Sequence, residues 1–256
     1  MLKSSFLKIC MTGIILWSGA SISAPKTAYD LAKMVSDSND GYIGETGEME
    51  MILISGDVSV KRKMTSKGLE GEEATKSLLE FTLPRDIAGT KLLTWSFDKK
   101  DDQQWIFIPA ARLTRRITSK SKSNSFMGSE FTFEDLRKPA LEKYKYADLK
   151  SIDSKTYQYV RMAKEDSTYS KTVVTISMDY LSPKKIEFYD RSGELLKIAD
   201  YSQYKSYKVG DKNFWRAGKI EMTNVQTQKK SIISWSNLEI GKSFSDSLFN
   251  KRSLKK

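Results

Sequence analysis

The sequence predicts a mainly β protein built on a single strongly curved antiparallel sheet of about 11 to 12 strands, with one N-terminal helix and one short helical insertion. Three observations predict it. Helical periodicity is confined to the residues before Asn39. From Glu48 onward the chain runs in short stretches rich in β-branched and aromatic side chains. Polar turn signals separate those stretches. A sheet of so many strands curls, into either a closed barrel or an open half barrel around an apolar interior.

The first 23 residues read as a secretory signal peptide. Lys3 and Lys8 precede the apolar run Ile9 to Trp17, which gives way to small residues ending at Ser23 and Ala24. Pro25 disfavours a cut after Ala24, so cleavage is expected after Ser23 or Ala20. The apolar run is shorter than the roughly 20 residues a spanning helix needs. Cys10 is the sole cysteine and lacks the small preceding residue of a lipoprotein signal. The mature chain, 24–256, is therefore expected to be one periplasmic domain with no thiol and no acyl anchor. Removing Lys3 and Lys8 takes the formal charge from +11 to +9. For an exported protein that balance points to anionic lipid or an acidic protein partner, and to transient membrane-surface contact, rather than to nucleic acid.

In the mature chain, Ala28, Leu31, Ala32 and Val35 share one face at helical spacing, so a helix is expected over 27–36, before the Asn39-Asp40-Gly41 turn signal. Strands are expected over 48–54, 58–64, 77–83, 91–97, 104–108, 113–117, 157–162, 172–178, 185–189, 195–204, 215–224 and 230–238. Leu181 to Lys184, Asp190 to Gly193 and Val209 to Lys212 each supply a Gly or Pro where the chain must reverse. Thr132-Phe-Glu-Asp135 has capping-box spacing, and Pro139 would stop a helix begun there. Ser119 to Ser125 is the most loop-like segment.

The composition excludes much chemistry. With no histidine, a Ser-His-Asp triad, a Cys-His pair and every histidine-based metal site are impossible. The acidic pairs Glu72-Glu73, Asp101-Asp102 and Glu134-Asp135 read as solvated turn and helix-start acids, since strand neighbours point to opposite faces. The run from Ser119 to Ser123 reads as a polar loop rather than Ser-Lys chemistry, and Gly41, Gly44 and Gly47 lack the context of a phosphate loop. No catalytic residue, metal or cofactor is expected.

The segment LLTWSFDKKDDQQWIFIPAARLTRRITSKSKSNSFMGSEFTFEDL, residues 92–136, carries Asp-x-Gln-Trp, then Arg-x-x-Arg-Arg-Ile, then Ser-Phe-Met-Gly-Ser-x-Phe. It resembles the LolA-like family of outer-membrane lipoprotein-sorting proteins. Asp190-x-x-Gly193, the stretch from Trp215 to Met222, and Phe244 to Leu254 extend the likeness over most of the mature chain. The resemblance implies an unclosed β-barrel of LolA/LolB type with a helical lid, whose cavity receives acyl chains of a lipid or lipoprotein. It also implies association with an inner-membrane transporter of the resistance-nodulation-division (RND) type.

On that reading the expected lining is Leu93, Trp95, Phe97, Trp105 and Phe107 from the strands, with Phe126, Met127, Phe131 and Phe133 from the turn and lid. Alternation groups Leu93 with Trp95 and Phe97, and Trp105 with Phe107, without saying which face is inward. Phe126-Met127 beside Gly128 suits either a pliable hinge or a hydrophobic staple. Arg112, Arg115 and Arg116 are expected to meet a lipid head group or an acidic partner surface, or to form a solvated basic hairpin. The competing class is a periplasmic adaptor subunit of the transporter that carries nothing.

Overall fold

The computed structural model describes residues 24–255; the signal-peptide segment lies outside them. One helix, α1 (Ala28–Asn39), precedes fifteen strands. These are β1 (Gly44–Ser55), β2 (Val58–Glu70), β3 (Thr75–Leu83), β4 (Lys91–Ser96), β5 (Gln103–Ile108), β6 (Leu113–Ile117), β7 (Tyr144–Asp153), β8 (Thr156–Ala163), β9 (Lys171–Ser177), β10 (Ser182–Tyr189), β11 (Leu195–Ser202), β12 (Lys205–Val209), β13 (Lys212–Arg216), β14 (Lys219–Asn224) and β15 (Lys230–Ile240). Thirteen of them form one sheet in the order β6-β5-β4-β3-β2-β1-β15-β14-β11-β10-β9-β8-β7. Its named pairings are antiparallel. Strands β6 and β7 are its two edges, so the sheet does not close into a barrel. The remaining pair, β12 and β13, is a separate hairpin.

The strand count exceeds expectation for two physical reasons. β7 is an edge strand with bulges and a mostly polar sequence, so it carries no clean alternation. The β12–β13 hairpin is largely exposed and turns at Gly210, and the stretch read as one strand over 215–224 breaks between Arg216 and Lys219.

α1 begins with a capping box in which Thr27 Oγ1 accepts from the Asp30 N–H at 3.0 Å and Asp30 accepts from the Thr27 N–H at 2.9 Å. It runs three residues past the expected end, with carbonyls at its C-terminus satisfied by side chains, one from outside the helix and one from its own last residue. Lys212 Nζ donates to the Asp37 and Asp40 carbonyls at 2.7 and 2.6 Å, and Asn39 Nδ2 to the Val35 carbonyl at 2.9 Å. The buried face of α1, Ala28, Leu31 and Ala32, packs against the sheet.

Strand register sorts the side chains into two faces. On the inner face, Met64 pairs with Met49, Met49 with Trp235, Met222 with Ala199, Ala199 with Ile186, Ile186 with Val174 and Val174 with Tyr159. These belong to one apolar cluster, which also takes Phe81, Leu92 and Ile106. On the opposite face Leu78, Leu93 and Trp105 form a second cluster covered by Phe249 and Leu254 of the C-terminal segment. That segment is tied down by Trp95 Nε1, which donates to the Phe249 carbonyl at 2.8 Å, and by Lys76 paired with Asp246.

Because Phe249 is fully buried, Phe249→Ala is expected to cost about 3–5 kcal/mol, and its removal bares Trp95 and Trp105. Urea unfolding monitored by tryptophan emission should show both an earlier midpoint and a red-shifted native spectrum.

Candidate ligand cavity

The chain between the two sheet edges, residues 118–143, runs from the end of β6 to the start of β7 and crosses the inner face on the way. Its turn is set locally. Met127 (φ 53°) and Gly128 (φ 76°) occupy consecutive left-handed positions, the Ser129 N–H closes onto the Phe126 carbonyl at 3.0 Å, and Ser125 bridges Thr132. A glycine suits the second of these positions because left-handed backbone costs an L side chain energy. The hairpin drives Phe126, Phe131 and Phe133 into the inner cluster, with ring centroids 5.6 Å apart for Phe126–Phe81 and for Phe126–Phe133.

The short helix expected after Thr132 does not form. Its capping-box bonds do: the Thr132 N–H donates to Asp135 Oδ2 at 2.7 Å and the Asp135 N–H to Thr132 Oγ1 at 3.3 Å. The following residues stay in turns because the acids are held from elsewhere. Nor are Glu134 and Asp135 solvated, as expected of them. Asp135 Oδ2 takes a bond from Lys197 Nζ at 2.6 Å, and the two side chains are 4% and 2% exposed. The ammonium also donates to the Glu130 carbonyl at 2.8 Å and stands 5.2 Å from the Tyr169 and Phe188 rings. Tyr169 donates its hydroxyl to the other oxygen of Asp135 at 2.8 Å. Glu134 accepts from Ser167 Oγ at 2.6 Å and from the Thr168 N–H at 2.8 Å. On the other flank Gln104 Nε2 donates to the Phe133 carbonyl at 2.9 Å, and Arg137 reaches buried Asp102 at 3.4 Å. Asp102 also pairs with Lys143 at 2.6 Å. The segment is thus a strap fastened to both halves of the sheet.

The strap fills part of the inner face and leaves a hollow beside it. A cavity of about 550 Å³ remains beneath α1 and the strap, bordered by residues of β1 to β4, β7 to β11 and β13 to β15. Its wall includes Val35, Met49, Tyr159, Val174, Ile186 and Met222. A second, polar cleft of about 540 Å³ lies at the seam between β6 and β7, lined among others by Arg116, Lys122, Lys143 and Lys164. Among the described residues there is no cluster of acids that could hold a metal ion, and no helix is long and apolar enough to cross a membrane.

The residues expected to line a cavity separate in the structure. Phe131 lines it; Phe126 and Phe133 are buried in the adjoining cluster, and Met127 packs against that cluster at the turn tip. Leu93, Trp95, Trp105 and Phe107 belong to the opposite face, under the C-terminal segment, and Phe97 packs edge-on to Trp95 at 6.4 Å. The expectation fails because β4 and β5 are apolar on both faces: their inward residues are the smaller Leu92 and Ile106. Arg112, Arg115 and Arg116 stand exposed on or beside edge strand β6, with Arg115 on the inner face and Arg116 on the outer. The wall residues of β7 to β11 were missed. Their only sequence signal was the alternation in 172–178, which marks an oily face without saying what it faces.

Burial raises the tyrosine hydroxyls around this cavity. Tyr169 is pushed up by burial and then by the charge of Asp135. Tyr159 and Tyr146 are raised by burial first, against the opposing charge of Arg161. Tyr201 is pushed up to about 12, by burial and then by Asp135.

The comparisons with known proteins agree on one family. A family model described as "-like: Uncharacterized protein" matches residues 73–256. A crystal structure from Vibrio parahaemolyticus, of a domain named for outer membrane lipoprotein sorting, is 35% identical, with a TM-score of 0.84 over 90% of this chain and 98% of its own. The chain belongs to this family of outer membrane lipoprotein-sorting proteins. A DUF1329 family protein from Desulfovibrio piger is 27% identical, with a TM-score of 0.81 over 89% of this chain and 97% of its own. A LolA superfamily protein from Nitrosomonas europaea, 20% identical with a TM-score of 0.69 over 89% of this chain and 99% of its own, shares the fold. A search of curated proteins finds no match.

Two outcomes are expected of this site. Lys197→Met, which strands a buried carboxylate, should cost about 3–5 kcal/mol, and adding Asp135→Leu should recover part of that loss, as read by urea unfolding of the single and double variants. The raised tyrosines keep their protons in the folded state while unfolded ones lose them near pH 10. Their stabilising contribution is therefore complete below that pH and lost above it. Tyrosinate absorbance and far-UV circular dichroism should change together on alkaline titration for these groups.

Proposed function

We propose that this protein is a periplasmic carrier, exported by the signal peptide at 1–23, whose single domain (24–256) takes a lipid, a lipoprotein acyl chain or another hydrophobic cargo into its half-barrel cavity. It passes that cargo between membranes together with an inner-membrane RND-type transporter, with transient contact at a membrane surface. The carrying observation is the hollow of about 550 Å³ on the concave side of an otherwise packed sheet. A well-packed interior leaves few voids larger than a water molecule, whereas ligand sites run from about 300 to 1,000 Å³ and are mostly apolar. Burial of acyl surface at about 25 cal/mol per Å² supplies the binding energy without any reaction. The function is therefore binding and release, not catalysis. The strap serves as the cover, and Phe126, Phe131 and Phe133 are the groups that move if it lifts.

A second reading, a ligand-free adaptor subunit of the transporter, draws on a different observation. Arg112, Arg115 and Arg116 are exposed on a free sheet edge and make no ion pair among the described residues. In the carrier reading the same arginines meet the acidic surface of the transporter or a lipid head group.

Native mass spectrometry of protein purified from periplasm without detergent is expected to show bound lipid, identified after organic extraction. Ile220→Trp, which fills the cavity from β14, should lower the lipid-bound fraction severalfold while leaving the far-UV spectrum unchanged. Apoprotein that also refuses added lipid would overturn the carrier reading in favour of the adaptor.

A further inference from the structure

The cavity wall carries one guanidinium without an acidic partner among the described residues. Arg161 lies on the inner face of β8, in register with Tyr146 on β7 and Thr172 on β9. Its Nε donates to Thr172 Oγ1 at 3.2 Å, and its guanidinium carbon sits 4.6 Å from the Tyr144 ring centroid. Among the described residues no carboxylate pairs with it and its terminal nitrogens donate to no protein acceptor.

Apart from Lys171, which has no acidic partner either, the other cations at the same wall are paired with acids. Arg137 pairs with Asp102 and Glu134, Arg216 with Glu45 and Lys138 with Asp40, while Lys197 beneath the strap holds Asp135. Lys171 lies over the Tyr189 ring, 4.6 Å from its centroid.

A second observation falls at the same place. Tyr159, two residues before Arg161 on the same face, also borders the cavity, and its hydroxyl, which is not a sealed-off atom, makes no hydrogen bond to protein among the described residues. A hydroxyl free to donate and a guanidinium with no acidic partner, both on the wall of a hollow that also carries Val174, Ile186 and Met222, describe half of a hydrogen-bonded site.

Resting on the carrier reading, we propose that the cargo is an anionic amphiphile whose carboxylate or phosphate is held by Arg161 and Tyr159 while its chain lies along the apolar wall. A guanidinium fits either acid group bidentately. A neutral lipid would instead leave it desolvated and unpaired, which is costly. The site thereby selects cargo by its head group, a task that an acyl-lined cavity alone does not perform.

The test measures binding of three probes to the mature chain by titration calorimetry: palmitate, palmitoyl lysophosphatidic acid and methyl palmitate. At least one acid is expected to bind about tenfold or more tightly than the ester, the order of one charge-assisted hydrogen bond, and the stronger of the two identifies the acid group. Arg161→Gln should erase the preference while retaining ester binding; Arg161→Lys should retain part of it; Tyr159→Phe should weaken the acid severalfold and leave the ester unchanged. Equal binding of acids and ester by the unmodified protein overturns the proposal but leaves the carrier reading standing. A preference that survives Arg161→Gln overturns it too. Binding of none of the three overturns both. The comparison of probes on the unmodified protein needs no variant, so misfolding of one cannot spare the proposal.

Discussion

A sheet of thirteen strands whose edges β6 and β7 never meet cannot seal its own concave face. Something without strand partners must cross it, and everything inside depends on how that crossing is fastened. The strap of residues 118–143 is fastened by a buried ion pair, Lys197 with Asp135, together with Glu134 on the β8–β9 loop and Arg137 on Asp102. Removing two charges from water is expensive, and their attraction offsets that cost only when geometry is good and the remaining donors and acceptors are used. Here they are used: the ammonium has a carboxylate, a carbonyl and two aromatic faces, and the carboxylate has a lysine, a tyrosine and a backbone N–H.

The fastening explains why the interior is unequal. The strap delivers three phenylalanines to the cluster that holds Phe81, Leu92 and Ile106. Beyond Phe131, which reaches the wall, it does not fill the space under α1, and a hollow remains there. The C-terminal segment does the opposite work on the convex side, covering Trp95 and Trp105 with Phe249 and Leu254.

Much of the fold was legible in the sequence, and the reasons are local. The capping box at Thr27, the alternation of 172–178 and the turn chemistry at Asp190 to Gly193 and at Gly210 are short-range signals, and each appears in the structure where its residues stand. Local signals misled where distant partners overrode them. The capping box at Thr132 formed its two bonds yet started no helix, since Asp135 and Glu134 were claimed by partners more than thirty residues away. The large aromatics of β4 and β5 looked like a lining and are instead the floor under the C-terminal segment.

By itself the sequence determined the strand-rich architecture, the single N-terminal helix and the absence of histidine chemistry, because propensity, periodicity and composition belong to residues and their near neighbours. Only the tertiary structure decided which face of β4 and β5 is inward, that Asp135 meets Lys197, and that Arg161 meets no acid among the described residues. Those are facts about pairs far apart in the chain. A strand apolar on both faces carries no sign of direction, and whether a charge is satisfied depends on what the fold brings beside it.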